Sequence, residues 1–140
     1  KKIMESNIIN QWEKHKCELD FYFKTHKMSE YDEYEKIFML VIKFILNGGG
    51  NSMNISDKIT VIDDGNWQGT QLFICHEDVY QPEMNNYYIT DNYYGSCSGC
   101  DTLLGILEYD EDKYPSEQQV KKFMQLALNM VQEMKCLGGQ

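Results

Sequence analysis

The segment 58–94, KITVIDDGNWQGTQLFICHEDVYQPEMNNYYITDNYY, contains three runs that are rich in β-branched and aromatic residues. These runs are residues 58–63, 71–75 and 87–94, and their composition is typical of β-strands. Asp64-Gly65-Asn66 follows the first run and is a hairpin-turn signal. Because the connections are short, the sequence predicts a three-stranded antiparallel sheet with its strands in meander order.

Two helices are predicted before the sheet. Residues 5–24 repeat apolar side chains three and four positions apart, which favours an amphipathic helix. Ser29-Glu30-Tyr31-Asp32 resembles a capping box, and the apolar helix after it ends at Gly48-Gly49-Gly50. The glycines lack the following Gly-Lys-Ser/Thr of a phosphate loop, so we interpret them as a C-cap and a flexible linker.

Two more helices are predicted after the sheet, at residues 101–107 and from Pro115 onward, where Ser116 and Gln119 have capping-box spacing. The predicted order is therefore α-α-β-β-β-α-α. It describes a single α+β domain over residues 1–140, with about four helices packed on the sheet. Residues 1–3 are expected to be a flexible or processed end.

The net charge of −9 is concentrated in the middle of the chain. Residues 28–117 hold four Lys against seventeen acidic residues, a balance of −13, whereas each flanking segment is weakly positive. This field repels phosphate backbones, so it argues against direct nucleic-acid binding and favours a basic protein partner. The alternative is a solvated acidic surface that maintains solubility. The acidic loop is the candidate partner-facing segment: Glu108, Asp110, Glu111 and Asp112.

The cysteine count is odd, with residues 17, 75, 97, 100 and 136, and no signal-peptide pattern precedes them. The longest apolar run, residues 37–46, is too short to cross a bilayer. These features predict free thiols, a reducing host cytoplasm and no membrane partner. All thirteen basic residues are Lys, and the absence of Arg argues against an Arg-clamped phosphate site.

The loop that holds Cys97 and Cys100 has four interpretations. A structural zinc would need two more ligands, and the nearest pair, Cys75 and His76, would point to opposite faces of a strand. A redox pair is disfavoured because Asp101 opposes thiolate formation. Alternatively, the loop amides and nearby tyrosines bind a nucleotide-like ligand. The simplest interpretation is a turn with packed cysteines and an Asp101 N-cap.

The candidate ligand-binding or partner-binding residues lie on the third strand and this loop: Tyr88, Asp91, Tyr93, Tyr94, Ser96, Cys97, Ser98, Cys100 and Asp101. No motif supplies both a nucleophile and a base, so no catalytic residue and no cofactor are predicted. A Cys97–His76 pair would act as a nucleophile only if the fold brought the two residues together. If a metal binds, its ligands are Cys97 and Cys100.

Three runs of the chain carry a family resemblance: QGTQLFICHEDVYQP (68–82), YYITDNYYGSCSGCDTLLGI (87–106) and PSEQQVKKFMQLALNMVQEM (115–134). They resemble a family of small uncharacterised proteins from phages and prophages of low-GC bacteria. The most specific piece is YGSCSGCDTL, residues 94–103. The resemblance implies a viral origin and action inside the host cell, and it carries no catalytic residue over to this chain.

Together, these features predict a non-enzymatic binding protein that inhibits a host defence or nucleic-acid-processing complex, such as a CRISPR effector. One alternative is a module that sequesters a nucleotide through the Tyr-rich strand and the loop. Another is a zinc or thiol-redox protein that uses Cys97 and Cys100. The wide apolar stripes of the second and last helices also leave a homodimer open.

Overall fold

The computed structural model describes residues 2–29, 33–65, 68–95, 101–107 and 113–139. Within these ranges the chain forms a mixed α+β fold with a four-stranded antiparallel sheet. The helices are α1 (Lys2–Thr25), α2 (Tyr34–Leu40), α3 (Thr102–Leu107) and α4 (Glu117–Glu133), and α2 continues as a π-helical segment (Val41–Leu46). The strands are β1 (Thr60–Asp63), β2 (Gly69–His76), β3 (Tyr87–Tyr94) and β4 (Lys135–Cys136).

The sheet has the order β1-β2-β3-β4, so consecutive strands are neighbours. The predicted antiparallel meander is confirmed for the first three strands, but the prediction of three strands in total is wrong. The fourth strand is only two residues long and pairs Lys135 with Ile89 and Cys136 with Tyr88. A strand of two residues is too short to show an alternation of polar and apolar residues. Because it follows α4 directly, the sequence pattern does not distinguish it from the end of the helix.

The helices pack on one face of the sheet. Phe38 of α2 stacks on Phe73 of β2, with ring centroids 5.2 Å apart, and Phe23 of α1 stacks on Phe123 of α4 at 5.1 Å. The hydroxyl of Thr90 on β3 donates a 2.7 Å hydrogen bond to the carbonyl of Met130 on α4. These contacts place the core between one face of the sheet and the helical layer.

Local sequence signals explain where the helices start. The capping box of α4 forms as predicted, because Ser116 accepts from the Gln119 amide while Gln119 accepts from the Ser116 amide. The N-cap of α2 is Glu33, and most of the capping box predicted at residues 29–32 lies outside the described residues.

The first two glycines after the π-helical segment lie against His15 of α1, whereas a Cβ at Gly50 would meet nothing within 4 Å. Gly48 is buried, and a Cβ there would lie 2.6 Å from the imidazole of His15 on α1. Gly49 has φ +64°, the left-handed conformation typical of a helix C-cap. The buried Gln11 amide donates to the carbonyls of Ile45, Leu46 and Gly48, so α1 caps the end of this helix.

Candidate functional site

The sheet has an inner face, which the helices cover, and an outer face. Residues directly opposite each other on antiparallel strands point to the same face, so the strand register assigns each side chain to the inner or the outer face. The inner face holds Val61, Asp63, Gln71, Phe73, Cys75, Tyr88, Thr90, Asn92, Tyr94 and Cys136. The outer face holds Thr60, Ile62, Thr70, Leu72, Ile74, His76, Tyr87, Ile89, Asp91, Tyr93 and Lys135.

The outer face is apolar at its centre and remains accessible to solvent. Ile62 is 51% exposed and Tyr93 is 57% exposed, while Leu72, Ile74 and Ile89 between them are half-buried. Every inter-element contact described above lies on the inner face. Isolated exposed apolar residues are common on soluble proteins, but a contiguous patch spread over three strands is typical of an interaction surface.

The segment that forms the first three strands is acidic in composition. The segment 57–94 contains seven acidic residues and a single lysine, Lys58. Asp91 lies on the outer face itself and is exposed. On the outer face itself Asp91 is accompanied by the exposed Lys135, so the negative charge that favours a basic partner belongs to the segment as a whole.

On the inner face of the sheet, polar side chains cluster where β1 ends and β2 begins. The hydroxyl of Tyr94 donates a 2.7 Å hydrogen bond to Asp63, which also accepts from the Gly65 amide at 2.9 Å. The bond from Tyr94 lowers the pKa of the Asp63 carboxyl below its ordinary value. The same bond raises the pKa of Tyr94 to about 12. This pair fixes the end of the sheet.

Asp101 holds together the two ends of the cysteine loop. Its carboxylate is buried and accepts from the amide of Gly95 and from the hydroxyl of Tyr34, both at 2.7 Å. The Tyr34 oxygen in turn accepts from the amide of Leu103 in the first turn of α3. Burial raises the pKa of Tyr34, so its hydroxyl remains a donor at neutral pH. The network joins α2, β3 and the start of α3 around one carboxylate.

The structure divides the sequence-predicted site residues between different environments. Asp91 and Tyr93 are exposed on the outer face, whereas Tyr88 lies in the core and Tyr94 binds Asp63. Asp101 is buried in the network described above. The remaining predicted residues lie outside the described residues: Ser96, Cys97, Ser98, Cys100, Glu108, Asp110, Glu111 and Asp112.

The zinc and nucleophile hypotheses that involve Cys75 and His76 gain no geometric support. Cys75 is fully buried on the inner face, and burial raises the pKa of its thiol to about 12. His76 lies on the outer face, where its ring contacts Tyr87 and its Nδ1 lies 2.8 Å from the Glu77 carbonyl. In the described part of the chain, no three His, Cys, Asp or Glu residues form a group that could hold a metal ion.

The amino-acid sequence does not indicate that the side chains of the outer face form one surface. The residues of this face come from separate segments, and Leu72 and Ile74 belong to a run, residues 71–75, in which the apolar residues are consecutive and do not alternate with polar ones. A signal was present in the alternation of β3, where Tyr87, Ile89 and Tyr93 share one side. The register of three strands is needed to show that these side chains form one surface.

Comparisons with known proteins add no relative: no protein-family model, no curated protein sequence and no solved structure matches this chain. Among the helices that the structure describes, none combines the length and the apolarity required to cross a membrane.

Proposed function

We propose that this protein is a non-enzymatic binding protein and that a basic protein partner docks on the outer face of the sheet. The observation that carries this proposal is the apolar patch of that face, in which Ile62 and Tyr93 are more than half exposed, within a segment of seven acidic residues and one lysine. Burial of the apolar centre would supply affinity, and the net negative charge of the segment would steer a basic partner.

The identity of the partner rests on the sequence resemblance to phage and prophage proteins. We propose that the protein acts in the host cytoplasm on a defence or nucleic-acid-processing complex, such as a CRISPR effector. Such complexes carry basic grooves for nucleic acid, and an acidic, partly apolar surface is complementary to a groove of that kind. The same acidity makes direct binding of nucleic acid unfavourable.

The test uses purified CRISPR effector nucleases in a DNA-cleavage assay, with direct binding measured in parallel. The wild-type protein is expected to bind one effector, to inhibit its cleavage, and to bind less tightly as salt increases. The double variant Ile62→Ser/Tyr93→Ser is expected to lose both effects because it removes two exposed apolar side chains from the outer face.

A matched control is available on α1, where Ile9 is 54% exposed and Phe21 is 66% exposed. The variant Ile9→Ser/Phe21→Ser should retain binding and inhibition. If wild-type protein neither binds nor inhibits any effector, the proposed partner class is wrong. If the outer-face variant binds as tightly as wild type, the proposed surface is wrong.

The nucleotide-binding alternative has less support from the described residues. A stacking platform needs several aromatic rings on one side, but β3 places Tyr88 and Tyr94 on the inner face and Tyr87 and Tyr93 on the outer face. The zinc or redox alternative depends on Cys97 and Cys100, which lie outside the described residues.

A further inference from the structure

Strand β1 is an edge strand: the backbone edge that points away from β2 has no pairing partner among the described residues. It lies at one end of the sheet and pairs only with β2. Thr60, Ile62 and Asp63 are exposed, and the four-residue strand contains no proline. Its β-branched residues favour pairing with another strand at this edge.

The hydrogen bonds of the hairpin show which backbone groups face outward. The amide of Asp64 donates to the carbonyl of Thr70, so these two residues form a hydrogen-bonded pair. Pairs of this kind alternate along an antiparallel ladder, and Ile62 and Thr60 therefore also direct their backbone groups toward β2. The amide and carbonyl groups of Val61 and Asp63 point away from β2 and are available to another strand.

The segment 58–64, KITVIDD, is complementary to itself in the antiparallel direction. When two copies pair about a two-fold axis at Val61, the outward-facing groups of Val61 meet those of the second Val61. Ile59 then lies opposite Asp63, and Thr60 lies opposite Ile62. Lys58, which precedes β1, then lies opposite Asp64 of the other copy, which follows β1, so opposite charges meet at both ends of the paired strands.

Neighbouring registers that preserve the hydrogen bonding are less favourable. If the two-fold axis moves from Val61 to Thr60, Asp57 of one copy lies opposite Asp63 of the other. If the axis moves to Asp63, the two Asp63 residues lie opposite each other. Both arrangements bring like charges together, which destabilises cross-strand pairs. The remaining register, with the axis at Ile62, lacks the Lys58–Asp64 pairs. Charge therefore favours the register centred on Val61.

We propose that two copies of this chain associate through β1, in antiparallel register about Val61, to form a continuous eight-stranded sheet. The arrangement is isologous because the same strand of each copy faces its equivalent. Both outer faces remain uncovered, since pairing at an edge uses backbone groups. This inference does not depend on the proposed function, because it concerns the edge of the sheet and not its outer face.

The contact is small, and each copy carries a net charge of −9. An interface built mainly from one strand per copy falls among the weak, transient interfaces, roughly below 1,200 Å². We therefore expect a monomer–dimer equilibrium in the micromolar range. Sedimentation equilibrium over concentrations from low micromolar to near millimolar should show reversible dimer formation. Protein that remains monomeric throughout this range would overturn the proposal.

The variant Lys58→Asp tests the charge pairs. It places an acidic side chain opposite Asp64 twice per dimer, and we expect the dissociation constant to rise roughly tenfold. Lys14→Gln, at an exposed position of α1, is the control and should leave the dissociation constant unchanged. A mixture of Lys58→Asp with Asp64→Lys should restore heterodimers. Dimers that are insensitive to Lys58→Asp would contradict the proposed register.

Asp64→Lys removes the hydrogen bond from the Thr70 amide to Asp64 and can weaken the hairpin, so a second test avoids this residue. Val61→Cys places two thiols at the two-fold axis, at a Cα separation that a disulfide can span. The matched control is Thr60→Cys, which lies opposite Ile62 of the second copy. Both variants are made with Cys17→Ser because Cys17 is exposed. Faster cross-linking of Val61→Cys supports the register, and equal rates would overturn it.

Discussion

The two faces of the sheet have similar numbers of apolar side chains but different surroundings. On β2, Phe73 and Cys75 are fully buried by the helices, whereas Leu72 and Ile74 between them are only half-buried. Both sets belong to one apolar run, so the difference arises from the position of the helices and not from residue type. The comparison indicates that the inner face stabilises the fold and that the outer face is available for binding.

The largest effect is expected from Phe73→Ala on the inner face. The Phe73 ring is fully buried and stacks on Phe38, so its removal leaves a cavity and should reduce the free energy of unfolding by about 3–5 kcal/mol. Leu72→Ala, one residue away on the outer face, should cost about 1 kcal/mol or less, because the side chain is already partly in water. Urea denaturation of both variants measures the contrast, and equal losses would contradict it.

An intermediate effect is expected from Thr90→Val. The change preserves shape but removes the donor to the Met130 carbonyl, which becomes unsatisfied in the core. We expect a loss of about 1–3 kcal/mol in the free energy of unfolding. Thr60→Val, on the exposed outer face, is the matched control and should change stability by less than about 0.5 kcal/mol. Thermal unfolding at one pH gives both values, and the contrast fails if Thr90→Val is as stable as wild type.

A smaller, pH-dependent effect is expected at the inner-face end of the sheet. The Tyr94 hydroxyl lowers the pKa of Asp63, so this bond contributes to stability above the ordinary carboxyl pKa and is lost as pH falls through the lowered value. Tyr94→Phe should raise the pKa of Asp63 toward its ordinary value, as measured by NMR titration of the carboxyl group. An unchanged Asp63 pKa would show that the hydrogen bond does not form in solution.

The smallest effect on stability is expected from the outer-face variant Ile62→Ser/Tyr93→Ser. Both side chains are more than half exposed, so the free energy of unfolding should change by less than about 1 kcal/mol. Calorimetry of the variant beside wild type provides the measurement. A large loss of stability would mean that the outer face belongs to the core, and it would also remove the basis for using this variant in binding assays.

The sequence predicted the elements well because their signals are local. The β-branched run at residues 60–63, the Tyr-rich β3 and the Ser116–Gln119 capping box each specify a structure within a few residues. The sequence could not indicate β4, because its two residues are a strand only through their pairing with β3. It also could not separate a packing glycine from a flexible one, since the contact of Gly48 with His15 joins positions far apart in the chain.

The spatial grouping of the predicted site residues could not be derived from the sequence, for a physical reason. Tyr88, Asp91, Tyr93 and Tyr94 are neighbours in sequence, but alternation along β3 sends them to opposite faces. The partner of Asp101 could not be found from the sequence either, because Tyr34 lies on a different helix. Residues that act together on a sheet are neighbours across strands, and the register that defines them is a property of the fold.

The most direct test compares two tyrosines of the same strand by hydroxyl-radical footprinting of the free protein. Tyr93 is 57% exposed on the outer face, and Tyr88 is 9% exposed on the inner face. Because the two side chains have the same intrinsic reactivity, the ratio of their oxidation rates reports whether the outer face is uncovered in solution. The account predicts that Tyr93 is oxidised much faster than Tyr88. Similar protection of the two residues would show that the outer face is covered and would contradict its role as a binding surface.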